Sequence, residues 1–122
     1  MVLNVLQVAL YVQVLLGLAR FGLPFVGVAV PDAIWSVHPL LGVAIAVIAL
    51  VVFRPASGRP TRPVMLARYA PLAPLLLGAA ILLGWVGGVW VIVGHMVLGF
   101  TAVELVGRGI TAVRVPSVPT EV

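Results

Sequence analysis

Three long stretches of this chain, residues 2–19, 33–53 and 69–103, carry no charged side chain. That single feature excludes most folds. A soluble domain has about 25% charged residues, spread so that every element can present a polar face to water. Here 8% are charged and 63% are hydrophobic, with a mean hydropathy of +1.29. A chain this apolar could not cover its own surface with polar groups, so lipid must solvate most of it. In lipid every backbone N–H and C=O needs an internal partner, which helices supply. About 20 apolar residues make a crossing. Four crossings are expected, at residues 2–18, 33–53, 69–85 and 89–106, the last of them running past Glu104. The expected fold is all-α: an integral membrane four-helix bundle forming one domain over residues 1–115, with a disordered tail at 116–122.

The connections carry their own signals. Residues 21–32 are apolar but broken by Gly22, Pro24, Gly27 and Pro31. One helix from residue 2 to residue 30 would be about 43 Å long, against a bilayer core of about 30 Å. The stretch therefore reads as a loop packed on, or dipping into, the outer membrane face. Asp32 is the expected N-cap of the second span, and Pro39 should kink that span near the Trp35 carbonyl. The polar run from Arg54 to Pro63 reads as non-helical. Pro71 and Pro74 fall in the first turns of the third span, Gly87-Gly88 makes a tight turn, and Gly107-Arg108-Gly109 ends the fourth span.

Orientation follows from arginine. Arg54, Arg59, Arg62, Arg68, Arg108 and Arg114 fall on one side of the spans, and Arg20 alone on the other. The arginine-rich side is expected to be cytoplasmic, with both termini inside. Trp35, Trp85 and Trp90 then fall at the outer interface, where amphipathic rings settle. The N-terminus has no basic segment and no cleavage site, so the first span is expected to stay in place. The localisation this implies is multi-pass, in a prokaryotic cytoplasmic membrane. The net charge of +4 would suggest nucleic acid in a soluble protein. Here topology accounts for it, and no nucleic-acid partner is expected. With no cysteine, disulfides, thiolate metal sites, iron–sulfur ligation and c-type haem attachment are excluded.

Two histidines remain, His38 and His95. Both lie a few residues below the outer end of a span, one in the second and one in the fourth. Both occur as His-x-x-Leu-Gly, in His38-Pro39-Leu40-Leu41-Gly42 and His95-Met96-Val97-Leu98-Gly99. Positions i and i+4 share a helix face, so Gly42, Ala46 and Ala49 lie below His38, and Gly99 and Ala102 below His95. Small residues would leave room for a flat macrocycle with both imidazoles on its metal. The competing account is structural, since small-residue stripes also serve close helix packing and a membrane histidine can hydrogen-bond a neighbouring helix. Intramembrane ionisable residues are functional candidates by default, and two at matched depth favour ligation. Arg20, near the histidine level, is then the cation for a propionate, or else a guanidinium reaching for the interface. Asn4, Gln7 and Tyr11 share a face of the first span, with Gln13 on another. Interhelical hydrogen bonds are the expectation there, with a quinone site as the alternative. Glu104 and Arg108 should form an i,i+4 pair.

With histidines on its second and fourth spans, the chain resembles a four-helix bis-histidine membrane cytochrome b, and in particular one half of a haem A synthase. That resemblance covers residues 2–106. It implies haem b held by His38 and His95, with Gly42, Gly99 and Arg20 beside it. In that family a glutamate shortly precedes the second-helix histidine. Here the segment is Ala33-Ile34-Trp35-Ser36-Val37, so ligation carries over and haem A synthesis does not. The function expected is electron transfer through one bis-His haem near the outer face, with a membrane quinone or an extracytoplasmic redox protein as partner. The alternative is a non-catalytic, possible pigment-binding accessory subunit of a larger respiratory or photosynthetic complex. No nucleophile–base constellation or paired carboxylates occur, so whether the chain is an enzyme stays open.

Overall fold

A computed structural model describes residues 1–54 and 60–114. The tail expected at 116–122 lies outside the described residues. Helix α1 spans Val2–Gly22, α2 Asp32–Val52, α3 Arg62–Tyr69, α4 Leu72–Leu82 and α5 Val89–Arg114. A 3-10 turn, Leu23–Val26, extends α1. Among the described residues four helical segments are long and apolar enough to cross a membrane: Val2–Val26, Asp32–Val52, Arg62–Leu82 and Val89–Arg114. It is a multi-pass membrane protein built as an all-α bundle, with its apolar flanks facing lipid.

The ends of these segments follow from local chemistry. At the end of the 3-10 turn Gly27 adopts φ 74°, and the Val28 and Gly27 amides donate to the carbonyls of Leu23 and Pro24. Gly84 repeats this at the end of α4, with φ 71° and the Trp85 and Gly84 amides donating to Ala80 and Ile81. Both are left-handed glycine caps that satisfy the last carbonyls of a helix. The third segment therefore stops at Leu82, three residues before the expected end. The turn runs from Leu83 to Gly88, wider than the Gly87-Gly88 turn expected.

Other boundaries also differ from expectation. Residues 21 and 22 still belong to α1, so the loop before α2 is shorter than the broken stretch implied. Asp32 is the first helical residue, with Pro31 at the N-cap and no side-chain cap. The third segment begins at Arg62, inside the run read as non-helical. Pro63 sits in the first turn of α3, where a missing N–H costs nothing. Proline acts later in the same segment, where α3 gives way to α4 at Ala70-Pro71. Helix α2, in contrast, continues through Pro39.

Helix α5 runs to Arg114, eight residues beyond the expected end. The glycines taken as a stop are packing residues. A Cβ on Gly109 would collide with the Cβ of Ala67 and come within 3.2 Å of the Phe53 ring. This contact fixes α3 against α5 and lies in a core of Leu6, Leu10, Ile45, Ala49, Phe53, Ala67, Val106 and Ile110. The Arg114 guanidinium donates to the Asn4 side-chain oxygen, tying the end of α5 to the start of α1. All of this core lies in the arginine-rich half of the bundle. The other half, which carries both histidines, is packed less tightly, and its side chains are half-buried or exposed.

Candidate functional site

Helices α2 and α5 both begin at the less tightly packed end, and each carries its histidine six residues after its first residue. At about 1.5 Å per residue both imidazoles lie about 9 Å along their helices. The bundle brings them together. The ring centroids are 6.2 Å apart and the ring planes cross at 72°. Both side chains are half-buried and turned inward, so neither is presented to lipid.

Each imidazole rests on a glycine of the preceding helix. A Cβ on Gly17 of α1 would lie 3.1 Å from His38 Cε1, and one on Gly78 of α4 would lie 2.9 Å from His95 Cε1. The carbonyls of Gln13 and Pro74 lie against the two rings, one each. Gln13 precedes Gly17 by four residues and Pro74 precedes Gly78 by four. The two helical hairpins thus repeat one arrangement: histidine on the second helix, glycine on the first, and a backbone carbonyl one turn before that glycine. Both Nδ1 atoms are buried without a hydrogen-bond partner. Backbone carbonyls are frequent acceptors for the outer ring nitrogen of metal-bound histidine, where they fix the tautomer and aim the inner nitrogen.

Gly17 and Gly78 were not singled out in the sequence, because a lone membrane-helix glycine has many packing uses. A glycine at histidine depth on each odd-numbered span was the available signal. The glycines that were singled out behave differently from each other. Gly99 faces open space, with nothing within 4 Å of a notional Cβ. Gly42 does not. The amide nitrogen of Gln13 would lie 3.0 Å from its Cβ and Leu75 Cδ1 3.7 Å away, so this face of α2 is covered by a side chain from α1. Ala46 and Ala49, lower on the same stripe, are buried core residues.

Arg20 stands at the histidine end with its guanidinium 3.9 Å from the centre of the Trp35 ring. A cation over an indole face is held by the ring quadrupole. Its positive charge acts on both imidazoles. At the opposite end Arg108 Nε and Glu104 Oε1 form the expected i,i+4 pair at 2.9 Å.

The donor set limits the chemistry. Among the described residues no group of three or more His, Cys, Asp or Glu side chains comes together. A metal held by protein alone generally takes three or four such ligands. Two facing imidazoles suffice where a planar macrocycle supplies the remaining donors. Neither a protein-family model, a curated protein nor a solved structure matches this chain.

Proposed function

We propose that the protein is a membrane b-type cytochrome that binds one haem between His38 and His95 and transfers electrons. One observation carries this: the 6.2 Å separation of the imidazole centres. An Fe–N bond is about 2 Å, as in other histidine–metal bonds, and a ring nitrogen lies roughly 1.1 Å from its ring centre. Two imidazoles sharing an iron therefore stand about 6 Å apart. Further support comes from the matched position of the two histidines on α2 and α5 and from the glycine beneath each ring.

The haem, held by His38 and His95, would supply a one-electron couple. The chain's own residues do the rest. His38 and His95 would be the ligands, Gly17 and Gly78 let the rings sit close to α1 and α4, and the Gln13 and Pro74 carbonyls beside the rings are acceptors that could hold the outer nitrogens once the haem is bound. Arg20 offers a propionate its charge. With the arginine-rich end in the cytoplasm, the site lies in the outer leaflet, within reach of a membrane quinone or an extracytoplasmic redox protein. The test is haem content. Protein purified from haem-replete cells should release close to one haem b per chain on acid extraction. A value near zero would overturn the proposal and favour an accessory subunit of a larger complex.

A further inference from the structure

A second polar feature lies in the other half of the bundle. An open groove of about 620 Å³ runs between α1, α3 and α5, with Gln7, Tyr11, Glu104, Arg108 and Thr111 on its walls and Pro63 at one end. Tyr11 is nine residues into α1, about 14 Å along the helix, and Glu104 is ten residues before the end of α5, about 15 Å. The groove therefore extends from the arginine-rich interface toward mid-membrane and opens sideways to the lipid. The side chains of Glu104 and Arg108 are 65% and 68% exposed in it. A charged pair facing hydrocarbon is costly unless something polar covers it.

The wall residues select the occupant. Glu104 accepts hydrogen bonds, while Tyr11 and the Gln7 amide donate them. Thr111 is already committed, its hydroxyl donating to the Gly107 carbonyl at 3.1 Å. An anionic lipid headgroup would suit Arg108 but would be repelled by the carboxylate paired with it. A neutral, flat, membrane-soluble molecule with hydrogen-bonding groups on both sides of a ring meets all of these conditions. We infer that this groove binds the headgroup of a quinol or quinone, with Glu104 accepting from a quinol hydroxyl on the α5 side and Tyr11 and Gln7 holding the oxygen on the α1 side. Binding stands on the groove alone. Only its coupling to the histidine pair rests on the function proposed above.

The probe is 2-heptyl-4-hydroxyquinoline N-oxide, a fluorescent quinone analogue, titrated into the full chain in lipid nanodiscs. Quenching should saturate at one probe per chain. Tyr11→Phe and Glu104→Gln should each weaken binding at least tenfold, while Val47→Ala, on the lipid-facing side of α2, should leave it unchanged. His38→Ala should keep full probe binding whatever its haem content, which separates this test from the haem test. Unchanged elution of the Tyr11 and Glu104 variants on size exclusion will show that they fold. Linear quenching equal to that of empty nanodiscs would overturn the inference. So would saturable binding that both groove variants retain.

Discussion

At the scale of single residues, the contacts around each imidazole are the most demanding feature. Gly17 and Gly78 each leave about 3 Å between a notional Cβ and a histidine ring edge. A leucine at either position must push the ring away. Gly17→Leu and Gly78→Leu should therefore each lower haem content by half or more, although neither removes a ligand. Absorbance at the haem band relative to protein will read this. Gly42→Leu meets the Gln13 side chain and Leu75 first, so its effect on haem should be the smaller one. Full haem content in both the Gly17 and Gly78 variants would count against the packing described here. Arg20→Ala should weaken haem retention only modestly, because a propionate near the interface can also reach water. The histidines were legible in the sequence through their matched depth and shared His-x-x-Leu-Gly setting. Their glycine and carbonyl neighbours were not. One hairpin uses Gln13 and the other Pro74 for the same backbone carbonyl, so side-chain identity conceals the repeat.

At the scale of elements, the existence of four apolar crossings could be read directly from where charge is absent. Their ends could not. Gly107-Arg108-Gly109 has the composition of a helix stop, yet α5 continues because Gly109 is required by Ala67 of another helix, a contact no local pattern encodes. Pro63 breaks a helix interior but is neutral in a first turn, and only the true start of α3 distinguishes the two cases. These two glycines give a sharp test. Gly109→Ala puts a methyl into Ala67 and should destabilise the bundle by about 1–3 kcal/mol, the usual cost of overpacking. Gly107→Ala adds a methyl where nothing lies within 4 Å and should stabilise by about 0.5–1 kcal/mol through helix propensity. Thermal unfolding in detergent will compare them. Equal shifts of the same sign would contradict the packing of α3 on α5.

At the scale of the whole molecule, the bundle divides into a packed half and a loosely packed half. The buried side chains of the core gather with the arginines, and the two histidines stand in the loosely packed part. A bundle that packs well at one end needs no ligand to hold its topology, and the other end is free to accommodate one. Arg20 and the tryptophans lie at the histidine end, the remaining described arginines at the other. The positive-inside bias would put the arginine-rich end in the cytoplasm. Reporter fusions in the loop between α2 and α3 and at the C-terminus should both report the cytoplasm, and a fusion between α4 and α5 the opposite side. The reverse pattern would move the histidine pair to the inner leaflet and exclude an extracytoplasmic redox partner. Bis-histidine ligation is tested most directly by the visible spectrum. The purified wild-type protein, reduced with dithionite, should show the sharp α-band of six-coordinate low-spin haem b. His38→Ala and His95→Ala should each lose that band or convert it to a high-spin spectrum. A wild-type band that survives both substitutions, or a wild-type protein with no haem spectrum at all, would contradict the account.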